Sequence, residues 1–142
     1  MAATRLGLTS VNQRPAVAFG ATLDSSYDWS FIATEPTIPD SIVLYYIMAS
    51  ATSGTVQFSA AVEAITDADA TDLDAVEGFD TQNLAALTTV KGTAGYLGKV
   101  RIALNNDDSM TAGDQVRIRV TRHAMLDSAT GNALLLAVEV CG

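Results

Sequence analysis

Apolar and polar side chains alternate with a period of two along most of this chain. Over residues 16–23, Val17, Phe19, Ala21 and Leu23 oppose Ala16, Ala18, Gly20 and Thr22. Over residues 55–64, Val56, Phe58, Ala60, Val62 and Ala64 oppose Gln57, Ser59, Ala61 and Glu63. Residues 99–104 turn Val100, Ile102 and Leu104 to one side, and residues 115–121 do the same with Val116, Ile118 and Val120. Trp29, Phe31 and Ala33 form one face of a shorter segment. Neighbouring side chains of a strand point to opposite sides, so each of these segments reads as a strand with one face on a core. Turn residues separate them, among them Asp24-Ser25-Ser26, residues 105–108 and Thr111-Ala112-Gly113-Asp114. Residues 35–40 carry two prolines, which cannot donate to a sheet ladder. The pattern predicts about eight strands with little room for helix. It fits an all-β, antiparallel Greek-key sandwich, a jelly roll, over residues 16–142. Residues 1–15 lack a sustained period and read as a short N-terminal arm, mobile or laid on a neighbour.

Two segments break the one-faced rule. Residues 41–49 place Ile42, Leu44, Tyr46 and Met48 on one face and Val43, Tyr45, Ile47 and Ala49 on the other. Residues 133–141, ALLLAVEVC, are also apolar on both sides. A strand in a two-layer sandwich needs one apolar face, because the other meets water. A second apolar face calls for another subunit or for cover by the chain's own loops. The first alternative makes Val43, Tyr45, Ile47, Leu135 and Ala137 the candidate oligomer interface.

The chain has 142 residues, enough for one domain with a real core, and no repeat or change of composition divides it. No apolar run approaches the roughly 18–20 residues that cross a bilayer as a helix. Arg5 is not followed by an apolar segment of the secretory kind. Eight basic residues against sixteen acidic ones give a net charge of −8, which argues against nucleic acid as a partner. The single cysteine, Cys141, has no partner for a disulfide within the chain.

Candidate chemistry is sparse. Asp67, Asp69, Asp72 and Asp74 could supply oxygens to a calcium ion. Their spacing lacks the glycine and the closing glutamate of an EF-hand loop, so a weak cation site stands against a plain solvated loop. Leu73, Val76 and Phe79 would give that stretch one apolar edge if it were a short helix. Gly92, Gly95 and Gly98 read as turn residues before a strand rather than as a phosphate-binding loop. His123, the only histidine, has no nucleophile or orienting acid beside it in the sequence, and Cys141 has no base. No cofactor is expected. Lys99, Arg101, Arg117 and Arg119 would share one outer face if their strands lie in one sheet. They would then be a solvated face or be answered by carboxylates of another chain.

Several segments, taken in order, carry a family resemblance. They are Ser53-Gly54-Thr55-Val56-Gln57-Phe58, Asp67-Ala68-Asp69-Ala70-Thr71-Asp72-Leu73-Asp74-Ala75, Thr111-Ala112-Gly113-Asp114-Gln115-Val116-Arg117-Ile118-Arg119-Val120 and Ala133-Leu134-Leu135-Leu136-Ala137-Val138. Together they resemble the jelly-roll modules of tailed-phage structural proteins, including capsid decoration (cement) proteins and the ends of fibre-like proteins. The resemblance implies a non-enzymatic knob that assembles as a homotrimer on the virion, made in the host cytoplasm, with the major capsid protein as partner and no membrane or nucleic acid. The arm residues Arg5, Leu6, Leu8, Val11 and Arg14 would then reach the capsid, and Arg101, Arg117 and Arg119 would serve electrostatics between subunits or with the shell. The alternative is a receptor- or glycan-binding knob of a tail or head fibre, with Tyr27, Trp29 and Tyr96 as stacking platforms.

Overall fold

The computed structural model describes residues 4–34 and 37–142. Among them there is no helix, and twelve strands form. In chain order these are β1 (Thr4–Arg5), β2 (Thr9–Val11), β3 (Arg14–Phe19), β4 (Ser25–Ile32), β5 (Ser41–Met48), β6 (Thr55–Val56), β7 (Phe58–Ile65), β8 (Asn83–Leu84), β9 (Thr88–Thr89), β10 (Gly98–Ala103), β11 (Gln115–Arg122) and β12 (Ala133–Cys141). Sheet I has the order β1-β4-β11-β7-β8, sheet II the order β10-β5-β12-β3-β2, and β6 pairs with β9. The pairings are antiparallel except that β1 runs parallel to β4. The excess over the eight predicted strands comes from pieces of two or three residues, too short to show a period.

Both large sheets give alternate residues to one core, so the fold is sandwich-like. Val17 and Phe19 of β3, Ile42, Leu44 and Tyr46 of β5, and Val100 and Ile102 of β10 come from sheet II. Phe58, Ala60 and Val62 of β7, with Val116, Ile118 and Val120 of β11, come from sheet I. Phe58 lies edge-on to Phe19, ring centroids 5.7 Å apart, and tilted against Tyr46 at the same distance. Burial also raises the pKa of the Tyr46 phenol. Gly98 opens β10 rather than serving only as a turn, because a Cβ there would come within 2.8 Å of the Tyr46 ring. Gly98→Ala is therefore expected to lower the urea-unfolding free energy by about 1–3 kcal/mol, the usual cost of overpacking. An unchanged unfolding midpoint would show that the ring can move aside.

Seven of the twelve strands have six residues or more, and six of them pair as a nest: β3 with β12, β4 with β11 and β5 with β10. The seventh, β7, lies between β5 and β10 in the chain and pairs with β11 and with the two-residue β8. These pairs alternate between the two sheets, joined within sheet I by β11 with β7 and within sheet II by β12 with β5.

That winding sorts the connections between two ends. Loops 20–24, 49–57, 85–97 and 123–132 gather at one end, here called the crown. Main-chain bonds knit them together: Ala129 N–H donates to Thr55 O at 2.8 Å, Val90 N–H to Gly54 O at 3.0 Å and His123 N–H to Gln57 O at 2.8 Å. The β6–β9 pair joins the second and third of these loops. Gly54, at φ 93°, passes so close that a Cβ would meet the Ala129 backbone at 3.0 Å. Beneath the crown lies Arg122, fully buried, with Asp127. Residues 33–34 and 37–40 and the loops 66–82 and 104–114 lie at the opposite end.

The N-terminal segment departs from the predicted arm. Its described residues are folded onto their own chain: β1 pairs with Ser25 and Ser26, Leu6 N–H donates to Ser26 O at 3.0 Å, and β2 pairs with β3. Asn12 and Gln13, both at positive φ, make the two-residue turn of that hairpin. Leu6 packs against the core, while Leu8 is exposed and Arg14 opens β3. Residues 1–3 and the Arg5 side chain lie outside the described part, as do Glu35 and Pro36 of the proline-bearing connection.

Candidate functional site

The outer face of sheet I carries a compact charge cluster. Register on β11 sets Arg119 beside Asp28 of β4, and Arg117 beside Glu63 of β7. Arg119 donates twice to Asp28, from Nε at 2.9 Å and Nη2 at 3.1 Å, and reaches Glu77 Oε1 at 3.1 Å. Arg117 Nε donates to Glu63 Oε1 at 3.1 Å. The Phe79 ring lies against both guanidinium groups, 4.6 Å from Arg117 Cζ and 4.1 Å from Arg119 Cζ. Burial pulls the Arg119 pKa down, but the hydrogen bond and charge of Asp28 and the charge of Glu77 outweigh it, and the value is raised. Glu77 and Phe79 belong to the 66–82 loop, which folds over this face as turns, the loop alternative rather than the short helix; Leu73 and Val76 are exposed.

Two expectations need correction here. Lys99 and Arg101 do not share a face with Arg117 and Arg119, because β10 and β11 fall in different sheets. The carboxylates that answer Arg117 and Arg119 belong to the same chain.

The outer face of sheet II holds the predicted interface, with one exception. Leu135 is a core residue, only 5% exposed. A β-bulge lies between Leu135 and Ala137, so Leu135 faces Tyr46 in register and Ala137 faces Tyr45. The extra residue turns Leu135 inward and Ala137 outward, which strict alternation puts on one side. Val43 is also only 5% exposed. It is flanked in register by Arg101 and Glu139, long side chains whose stems cover apolar neighbours. Arg101 Nη1 donates to Ser41 Oγ at 2.7 Å. Tyr45 donates its hydroxyl to Glu139 Oε1 at 3.1 Å; that bond, with some desolvation and the Glu139 charge, raises the phenol pKa. Tyr45, Ile47, Leu134 and Ala137 remain accessible as an apolar strip.

Asp67, Asp69, Asp72 and Asp74 do not converge. Asp69 Oδ2 accepts from Thr66 N–H at 3.0 Å and Asp72 Oδ1 from Asp74 N–H at 3.0 Å, so both serve local turns. No group of three His, Cys, Asp or Glu side chains among the described residues is placed to hold a metal. The three candidate stacking aromatics are also apart. Tyr27 and Trp29 line an open groove of about 290 Å³ between β3, β4 and β12, with Leu8 and Val138, whereas Tyr96 stands in a crown loop.

The fold does bring partners to His123 that its sequence neighbourhood lacks. Nε2 lies 2.7 Å from Ser59 Oγ and Nδ1 lies 3.5 Å from Asp24 Oδ2. The three residues come from β7, the β11 end and the turn before β4. Ser59 is 1% exposed and its Oγ also lies 3.1 Å from Gln82 Oε1. A nucleophilic serine needs an open approach, which this burial denies it. The trio ties the 123–132 loop to β7.

Two groups were missed, and the alternation itself marks the first of them. Arg122 continues the inward series Val116, Ile118 and Val120, which makes it a buried charge in need of a partner. The exposed apolar side chains of the crown, by contrast, sit in loops without a period. Comparison with family models, curated proteins and solved structures returns no match.

Proposed function

We propose that this protein is a jelly-roll structural component of a tailed-phage virion that decorates and stabilises the assembled shell as a homotrimer. The observation that carries the reading is the nested pairing of β3 with β12, β4 with β11 and β5 with β10. Such nesting is what a long antiparallel ribbon gives when rolled into two sheets, which supports a jelly roll, an architecture of two Greek keys that recurs in viral capsid domains. The sequence resemblance points the same way. A protein that binds only the assembled shell stabilises it by mass action, and three joined copies add avidity. Trimer contact falls on the strip Tyr45, Ile47, Leu134 and Ala137, which a partner would dry. Light scattering of the purified chain at low and high salt is expected to give the mass of three chains at both. Ile47→Lys, which sets a charge in the strip, is expected to give monomers with an unchanged β-sheet circular dichroism spectrum. A wild-type monomer at every concentration up to about 100 µM, far above the Kd of a stable assembly, would sink the oligomer reading.

A further inference from the structure

β10 ends sheet II and pairs with β5 on one side only. Apart from that ladder, no main-chain hydrogen bond among the described residues involves residues 98–103. On the other edge, alternate N–H and C=O groups are therefore open to a further strand. The edge runs for six residues with no proline and no bulge, the features that commonly blunt one. Its side chains alternate without a break: Lys99, Arg101 and Ala103 are exposed, and Val100 and Ile102 are buried. Neither cation is answered. Arg117, Arg119 and Arg122 pair with carboxylates of the chain, whereas no salt bridge among the described residues involves Lys99 or Arg101. The Lys99 ammonium stands 5.9 Å from the centroid of the Tyr45 ring. Arg101 reaches Asp40 only through Ser41, whose Oγ donates to Asp40 Oδ1 at 3.1 Å. Beside this edge an open groove of about 380 Å³ separates β10 from β8, the end strand of sheet I. Gln82, Asn105 and Asn106 line it. Asn83 ties its walls together, donating to Ala60 O at 3.1 Å and Asn106 O at 2.9 Å and accepting from Asn106 N–H at 2.8 Å.

We propose that the free edge of β10 takes an extended acidic peptide segment of another protein as a sixth strand of sheet II. Main-chain bonds to β10 supply the attachment, and the two cations choose the partner. Register sets the pattern. Carboxylates at positions i and i+2 of the added strand stand opposite Lys99 and Arg101, and the residue between them turns inward beside Val100, where the groove amides suit a threonine. An antiparallel pair of two β10 edges centred on Val100 sets Lys99 opposite Arg101 twice, like charge against like, which counts against a second copy as the occupant. The proposal is independent of the decoration reading and of the strip on β5 and β12.

The test is an amide NMR titration of the full chain with three short blocked peptides. In the first, glutamate and threonine alternate. The second carries lysine for glutamate. The third is the first with its amides N-methylated, which keeps the charge and removes the ladder donors. The first peptide is expected to saturate the protein and to shift the amides of residues 98–103 most. The lysine peptide is expected to bind about tenfold more weakly, as two cross-strand charge pairs predict, and the N-methylated peptide to show no saturable binding. Lys99→Glu/Arg101→Glu, checked for an unchanged circular dichroism spectrum, is expected to reverse the preference between the two charged peptides. The three peptides on the wild-type chain decide the matter if that variant does not fold. Equal binding of the first and third peptides would mean attraction of any polyanion and overturns strand addition. Largest shifts away from β10, or an unreversed preference in the folded variant, overturn it too. No saturation by the first peptide up to about 2 mM also overturns it, and leaves Lys99 and Arg101 as guards against pairing.

Discussion

Arg122→Ala is expected to lower the unfolding free energy by about 3–5 kcal/mol, the cost of breaking a buried ion pair from one side. Arg122 uses all five of its N–H donors. Nε and Nη2 grip Asp127 at 2.9 and 3.2 Å, Nη1 donates to Phe19 O at 3.2 Å and Gly131 O at 2.9 Å, and Nη2 donates to Ala129 O at 2.8 Å. Those acceptors belong to the end of β3 and to the 123–132 loop, so one side chain fastens two crown connections to the end of β11. Removing it leaves a buried carboxylate held by Gln57 N–H at 3.2 Å and takes one donor from each of three carbonyls, those of Phe19, Ala129 and Gly131. Arg122→Lys should recover little, because one ammonium cannot span the same acceptors. Arg122→Met/Asp127→Leu should recover part of the loss, since the unpaired charge goes but the carbonyls still lack the guanidinium. Urea denaturation of the four proteins checks this, and a loss below about 1 kcal/mol for Arg122→Ala would mean that water replaces the guanidinium.

Phe58→Ala should cost a similar amount, about 3–5 kcal/mol, through lost burial and an unfilled cavity. Phe58 projects from sheet I between two aromatic rings of sheet II, Phe19 and Tyr46, and is fully buried. It is the first residue of β7, so the cavity opens directly under the crown, where Ala85 N–H donates to Phe58 O at 3.0 Å. Amide hydrogen exchange should therefore quicken in the crown loops before it quickens in the middle of β11. Phe58→Leu, which fills most of the space, should lose less than half as much. Equal losses for both variants would point to ring geometry rather than volume.

The strands of the core were legible because their burial follows the alternation. Val116, Ile118 and Val120 lie inside as the period requires, and so do Val100, Ile102 and Leu104. The two-faced strands were legible as an anomaly, but not the terms on which each residue joins it. A single bulge reverses the face of Leu135 relative to Ala137, and neighbours in register decide that Val43 is covered while Ile47 is less so. Sheet membership was not legible at all. Arg101 and Arg117 look alike in sequence, yet one sits beside Ser41 and the other beside Glu63, a difference made by which strands pair across long separations. For the same reason Asp24, Ser59 and His123 gave no local sign that they meet. The N-terminal segment has too few residues per strand for a period to register, although it pairs in both sheets.

The nest of strands also fixes a timetable for folding. β12 spans residues 133–141 and sits between β5 and β3, so the strand furthest along the described residues is an interior member of its sheet. Until it arrives, β3 and β5 have no ladder between them, and the apolar sides of β5 stay bare. Closing a pair between residues 17 and 135 costs loop entropy before any contact returns it, which places folding in the slow range of about milliseconds to seconds. A chain cut before residue 133 is therefore expected to leave sheet II open and to aggregate, since unpaired strand edges and bare apolar surface drive association.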